Sequence, residues 1–423
     1  MLSTYLASIN FFPTLFKILL IVVPIGLPIY LVIVWLKIRF KWLTMKYVEE
    51  QKSCLLEIKL PKEILKSPAA MEIFFSHLGA GGAGNWGEAF LDGKTRPWFS
   101  LEIVSTGGQV RFFVWCSQAK TRNVVEAQLY AQYPNLEIYE TTEDYTKDFY
   151  FDLEKFPMAA TQYELSKPDP YPIKTYIDYG LDRDQKEEYK IDPITSIIEY
   201  LGSLKAGENA WIQILIQKHE KEGFFHGKMV EGKDLKKEIQ EVIKEIKEKD
   251  IPEPENEEDK PKAPAPTKGQ KDLIAAIERS ATKAPYDCMI RSIYITDKDS
   301  FNSANIGGLI GGLKQYGSND LNGFKPKSAD VSNTQKDLAR IFPFIKKKND
   351  EQIAEMKEDL LYSYKLRSYF QGPYKELGDT KPFVLTTEEL ATIFHFPSGM
   401  VSQTPTLKRV GSKKSEAPSN LPI

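Results

Sequence analysis

The sequence predicts an α+β protein held behind an N-terminal transmembrane helix, and three observations lead there. An uncharged apolar run, Ile18 to Leu36, lies near the start of the chain. Beyond it, short β-type runs and capped amphipathic helices follow one another in the order βαββαβ. That order then recurs with matching punctuation, so the rest of the chain reads as a duplicated module.

The apolar run holds about nineteen residues, enough to cross the hydrocarbon of a bilayer as a helix. Tyr5, Phe11 and Phe12 lie near one end and Trp35, Phe40 and Trp42 near the other, as interfacial aromatics do. Lys37, Arg39, Lys41 and Lys46 follow the span, whereas Lys17 alone precedes it. This asymmetry predicts a single-pass protein of the cell (inner) membrane, with residues 1–46 as anchor and the bulk of the chain in the cytoplasm. A cleaved signal peptide would have a shorter core and a small-residue cleavage site, and "WLKIRFKW" offers none. Pro24 and Pro28 leave open a kink or a hairpin in place of a straight span.

The first module occupies residues 50–150. "CLLEIKL" (54–60) alternates as a strand. "SPAAMEIFFSHLG" (67–79) is a helix with Ser67 as N-cap, Pro68 at its first position and Gly79 as its stop. "PWFSLEIVSTGGQVRFFVWCS" (97–117) is a hairpin turning on Gly107-Gly108, "TRNVVEAQLYAQYP" (121–134) a second helix and "NLEIYE" (135–140) a closing strand. This is the split βαβ, ferredoxin-like order.

Residues 168–330 repeat it. "YPIKTYIDYG" (171–180) reads as the first strand and "DPITSIIEYLG" (192–202) as the helix, with Asp192-Pro193 in the places of Ser67-Pro68. "WIQILI" from Trp211 answers "WFSLEI" from Trp98, and "YDCMIRSIYIT" (286–296), a helix over 300–317 and a weak strand near Phe324 complete the set. An insertion, 219–284, separates the middle strands. Its helix 233–249 carries Leu235, Ile239, Val242 and Ile246 on one stripe, and a second helix spans 270–282. Between them "IPEPENEEDKPKAPAPTKG" has the composition of a disordered segment. Residues 331–423 hold further helices, a connector and a basic tail.

Catalytic chemistry is largely missing from this reading. A net charge of −2 gives no sign of a nucleic-acid binder working through overall charge. Cys54, Cys116 and Cys288 are far apart in apolar runs and read as buried thiols. "GAGGAG" (79–84) matches GxGxxG but follows a helix instead of a strand, and "GGLIGGLKQYG" (307–317) lacks the Ser or Thr of a phosphate loop. Its glycines suit close helix packing. His77, His219, His226 and His395 are too dispersed for a metal site, and no nucleophile elbow is present. No catalytic, cofactor or metal residue is assigned. Strand alternation puts Trp98, Phe113, Trp115 and Tyr139 on one sheet face with Arg111, Glu57, Lys59 and Glu102. Those aromatics could stack bases, but the glutamates repel phosphate. Contact between the two modules, or with a partner, is the expected use.

The segment "TTEELATIFHFPSGMV", with the later "TPTLKRV" and "SEAPSNLPI", resembles the region ahead of the motor in membrane-anchored ATPases related to conjugative type IV secretion coupling proteins (TraG/VirD type). "LEIKLPKEILKSPAAME", "RPWFSLEIVS" and "EAQLYAQYPNLEIYE" resemble that family's N-terminal region, so the likeness runs over nearly the whole chain. It implies a non-enzymatic accessory that anchors and assembles a translocation ATPase acting in cis or trans. The implied partners are the lipid bilayer, that ATPase and further copies of the chain, without direct nucleic-acid contact. The family's phosphate-binding loop does not appear before Ile423, and the segment reads as the connector to a motor. Leu390, Ile393, Phe394, His395, Phe396 and Pro397 are then the candidate docking residues. A structural component of an envelope or pilus-type assembly is the alternative.

The lysine and arginine cluster after Leu36 makes a direct prediction. A phosphatase or fluorescent reporter fused after Ile423 reports a cytoplasmic location. Periplasmic activity would reverse the topology.

Overall fold

Residues 2–61, 64, 66–78, 86–183, 191–220, 235–248, 267–327, 343–370 and 382–397 are described in a computed structural model. The N-terminal run belongs to one helix, α1 (Leu2–Glu50), which continues through Pro24 and Pro28 without turning back into a hairpin. Its portion from Val23 is long and apolar enough to cross a membrane, with a mean hydropathy of 1.7 and none of its most apolar 18-residue window buried.

The nine strands of the described residues form one antiparallel sheet. The first half supplies β1 (Cys54–Lys59), β2 (Trp98–Thr106), β3 (Gln109–Cys116) and β4 (Glu137–Thr141). The second supplies β5 (Met158–Leu165), β6 (Glu208–Lys218), β7 (Pro285–Thr296) and β8 (Phe324–Lys327). The strand order is β4-β1-β3-β2-β6-β7-β5-β8. Numbered within each half, that is 4-1-3-2 followed by 2-3-1-4, the same order read from either edge. The halves are joined edge to edge, with β2 and β6 paired from Trp98↔Gln217 to Thr106↔Asn209. A ninth strand, β9 (Phe383–Thr386), pairs with the start of β7.

One expected strand is displaced. Residues 171–180 form successive turns, and the first strand of the second half is β5, thirteen residues earlier. Asn322 explains the turns: its side chain donates to the carbonyls of Lys167, Pro168 and Tyr171, holding that backbone away from the sheet. Pro172 also lacks the N–H that a ladder needs.

Helices α2 (Ala69–Leu78), α4 (Arg122–Gln132), α5 (Pro193–Gly202) and α8 (Ala304–Lys314) cover one sheet face, while a short α3 (Trp86–Leu91) precedes β2. Their apolar stripes meet Leu56, Leu101, Phe112, Ile214 and Ile290 in the main core. Asp192 caps α5 by accepting from the Ile194 amide. On α8, a Cβ at Gly308 would lie 2.4 Å from the Tyr200 ring, so the small residue is what lets α5 and α8 touch. The insertion supplies α6 (Leu235–Glu248) and α7 (Lys268–Ala281), which pack through Ile239, Ile246, Ile274 and Ile277 beside Tyr171. The opposite face is covered by α9 (Pro343–Lys365) and the segment around Tyr145–Phe156. A final helix, α10 (Thr387–Ile393), follows β9. The glycine run 79–84, the Pro-rich segment up to residue 266 and the tail from 398 lie outside the described residues.

The β2–β3 turn tests the local logic. Gly107 and Gly108 both have positive φ, 56° and 83°, as a two-residue hairpin of primed type requires. A Cβ on Gly108 would also stand 2.4 Å from the Leu204 carbonyl oxygen. Gly108→Ala should destabilise the protein by at least about 1–2 kcal/mol, the left-handed cost alone. Urea unfolding of detergent-solubilised protein measures it, and an unchanged midpoint would show that the turn relaxes freely.

Candidate functional site

On the face away from the main helix layer, a polar row crosses the centre of the sheet. Glu102 on β2 lies opposite Gln213 on β6, and Gln213 opposite Arg291 on β7. All three are buried, so each polar group needs a partner. The partners come from the end of α9. Trp98 Nε1 donates to the Arg367 carbonyl at 2.8 Å, Gln213 Nε2 to the Tyr364 carbonyl at 3.1 Å and Arg291 Nη2 to the Ser368 carbonyl at 2.7 Å. Carbonyls at a helix C-terminus lack intrahelical donors, and three neighbouring strands supply them here.

Arg367 closes the arrangement. Its Nε and Nη2 reach the two Glu102 carboxylate oxygens at 2.7 and 3.2 Å, and its Nη1 donates to Asp144. Glu102 also accepts from Ser100 Oγ at 2.6 Å and Tyr145 OH at 2.9 Å. Arg367 is 3% exposed and Glu102 0%. Burial opposes the charge on Arg367, but Glu102 and Asp144 outweigh it and raise its pKa well above the ordinary value. Burial likewise pushes Asp144 up, yet Arg367 and Thr146 hold its carboxyl below the usual range. Arg367 sits at φ 49°, a conformation costly for a side-chain-bearing residue, so the contacts above override local preference. Arg291 lies over Tyr369, and burial lowers its guanidinium to about 10. Its Nε and Nη1 find no acceptor among the described residues.

The N-terminal helix enters here. Val48, near the end of α1, packs against the buried cluster that Trp98, Leu215, Met289, Tyr369 and Phe370 form. The Lys52 carbonyl, just beyond the helix, accepts from the Ala119 amide. The same few residues therefore clamp α9 and seat α1.

Near the insertion lies a cleft of about 190 Å³, lined by Asp169, His219, Lys236, Lys283 and Glu389 among apolar residues from α6 and β9. Burial pushes the Glu389 carboxyl up to about 7, against hydrogen bonds from Thr386 and Ile173 that lower it. Burial raises Asp169 to about 6. His219 is raised by its 2.6 Å contact with Asp287. Among the described residues no cluster of His, Cys, Asp and Glu could hold a metal ion.

The residues singled out in the sequence fall into two groups. Leu390, Ile393, Phe394, His395 and Phe396 are at most 1% exposed, and Pro397 is buried with them. Phe394 and Phe396 stack against Phe112, and Phe396 also against Tyr133. His395 joins the Ala391 carbonyl to Asp192, the α5 cap, at 2.9 Å each. This segment is a core element, because α10 fits between α2 and α5 and so bridges the two halves. Trp98, Phe113 and Trp115 share the face of Glu102 and lie beneath the α9 and Tyr145 coverings, whereas Tyr139 is 45% exposed on edge strand β4. Arg367 and Arg291 were not singled out. Arg291 does stand out as a lone charge in the apolar run "CMIRSIYI", and that signal was available.

Two predictions follow from this geometry. Arg367→Met leaves Glu102 buried without its charge partner and should cost about 3–5 kcal/mol, whereas the Glu102→Met/Arg367→Met pair should recover most of that loss. Chemical denaturation of the three proteins decides it; equal losses in single and double variants would mean the pair is not coupled. For the cleft, Glu389 and Asp169 both have folded pKa values above their unfolded ones, so folding binds protons there. Their contribution is most favourable below about pH 4 and is lost as pH rises to about 7. His219, also raised, contributes in the same direction, with its share lost as pH rises above 6.5. For Glu389 alone the decline amounts to about 3 kcal/mol. Comparing unfolding midpoints of wild type and Glu389→Gln from pH 4.5 to 7.5 should show a shallower slope in the variant. Parallel slopes would assign the dependence elsewhere.

No curated protein matches the chain significantly. One family model does, described as Domain of unknown function (DUF8128), over residues 85–409. Its match begins beyond α1, just before α3, and takes in the sheet from β2 onward, the α9 clamp and the buried α10 segment. With well over half of the chain inside that match, the protein belongs to the DUF8128 family.

Proposed function

We propose that this protein is a non-enzymatic, membrane-anchored scaffold that holds and assembles the motor of a type IV secretion or conjugation-like translocation system. The observation that carries the reading is the seating of α1. Val48 and Thr44 are packed into the body, so the helix is a continuation of the folded unit instead of a tethered leader. Force delivered to such a body passes to the membrane without a slack linker. The strand order 4-1-3-2 in both halves supports two ferredoxin-like modules derived by duplication, with the helical insertion in the second. The sequence likeness to coupling-protein ATPases supplies the partner class, and the cytoplasmic side of the inner membrane supplies the place.

Burial of the 390–397 segment moves the docking surface away from those residues. The basic tail with Lys408, Arg409, Lys413 and Lys414 takes their place as the contact sought. Affinity purification from native membranes should recover an ATPase carrying a phosphate-binding loop. A chain ending at Pro397 should lose that ATPase while retaining membrane insertion and its thermal midpoint. Recovery of envelope or pilus subunits without any such ATPase would overturn the reading in favour of a structural component.

A further inference from the structure

Cys54 and Cys116 lie far apart in the chain, yet the sheet sets them face to face. The register of β1 against β3 puts Cys54 directly opposite Cys116. Directly opposed residues of an antiparallel pair share a sheet face and stand about 4.5–5.5 Å apart at Cα. That separation falls within the roughly 4.4–6.8 Å that a disulfide spans. Both side chains belong to the main core, with Val125 and Leu129 of α4, and Cys54 is 5% exposed against 0% for Cys116. Cys288, the third free thiol, is separate: it lies on β7 opposite Ile216 and Phe383 and donates to the Tyr286 carbonyl at 3.3 Å.

The two thiols of the pair are not equivalent. A hydrogen bond from Cys116 lowers the Cys54 thiol below its ordinary range, against burial and Glu140, and Arg122 adds to the lowering. The same contact, together with burial, pushes Cys116 well up. Cys54 is also the more accessible of the two. β4 pairs with β1 as far as Leu55↔Thr141, so the ladder leaves Cys54 unflanked on its outer side. A thiol with thiolate character and some exposure is the one an oxidant attacks, and a covered neighbour is placed to resolve the product.

We infer that Cys54 and Cys116 form a peroxide-responsive thiol pair, which closes into a reversible disulfide at the root of α1. In the first step the Cys54 thiolate attacks one oxygen of hydrogen peroxide and the O–O bond breaks. Hydroxide leaves and takes up the proton that Cys54 released, and Cys54 becomes a sulfenic acid. In the second step the Cys116 sulfur attacks the Cys54 sulfur. The S–S bond forms, the S–O bond breaks, and the hydroxyl departs as water with the Cys116 proton. Two electrons pass from the thiols to the peroxide, and a dithiol reductant returns them by exchange. The site lies where α1 joins the sheet. Cys54 opens β1, Lys52 just before it has a φ of 46°, and the Lys52 carbonyl accepts from the Ala119 amide, three residues past Cys116. A disulfide adds a covalent rung beside that backbone bond and ties the root of α1 to β3.

Peroxide treatment of the whole chain in nanodiscs tests it, followed by alkylation under denaturing conditions and digestion without reductant. Mass spectrometry should find a peptide joining Cys54 to Cys116, lighter by two hydrogens than its separate parts. Alkylation should fall from three thiols to the one of Cys288, and dithiothreitol should restore all three. In Cys116→Ala, dimedone should trap a sulfenic acid at Cys54. Amide hydrogen exchange over Val48–Leu56 should slow in the oxidised wild type and recover on reduction. Three remaining thiols, a bridge to Cys288 or a bridge between two chains would overturn the pair. An unmodified Cys54 in Cys116→Ala, with the wild type bridged, would overturn its role as the attacked thiol. A bridge within one chain that leaves the exchange unchanged would overturn the tie to α1.

Discussion

The pairing of β2 with β6 is the constraint on which the rest of the protein depends. Each of these strands would be an open edge in its own half, with unpaired N–H and C=O groups. Joining them removes two edges at once and turns the two most exposed strands into the two most central. Both faces of the sheet are then covered at its middle, and every polar side chain there must find a partner inside the protein. Glu102, Gln213 and Arg291 are the residues on which that demand falls. Arg367 and the carbonyls that end α9 meet most of it, although Gln213 Oε1 and Arg291 Nε and Nη1 find no partner among the described residues. The clamp is thus a consequence of the join.

That join also explains what could and could not be read from the residues. Hairpin β2–β3, helices α2, α4 and α5, and strands β6 and β7 are visible as periodicity and capping, because local chemistry specifies them. Gly107-Gly108 and Asp192-Pro193 are cases where one residue pair decides the backbone. Strand β5 is not visible in this way. "MAATQYEL" has no clear alternation, whereas "YPIKTYIDYG" alternates well yet is held in turns by Asn322, more than 140 residues away. The single sheet was equally hidden, since a strand's sequence does not say which edge it will meet. For the candidate site, the aromatic face around Trp98, Phe113 and Trp115 could be assembled from alternation. Its partner Arg367 lies in "YKLRSYFQG", where nothing local marks a buried ion pair.

The C-terminal segment shows how a well-formed motif can mislead about its role. Thr386 and Glu389 form a capping box, and an isolated helix with such a start would suit a docking peptide. Glu389 also accepts from the Ile173 amide, while Glu388 accepts from Thr175 and Arg279. The cap thus organises the turns that displace the expected strand. A short helix with acids in its first turn, all of them buried, is a keystone between halves and not a surface feature.

A sheet whose strand order is the same from either edge has one further implication. Four strands in the order 4-1-3-2 expose strand 2, and two such units meeting through that strand generate the arrangement seen here. Because both halves lie in one polypeptide, this edge-to-edge pairing is intramolecular. The two halves are therefore under no requirement to be equivalent, as the subunits of a symmetric homodimer would be. One half then carries α1, long and apolar enough to cross a membrane, and the other the inserted pair α6 and α7.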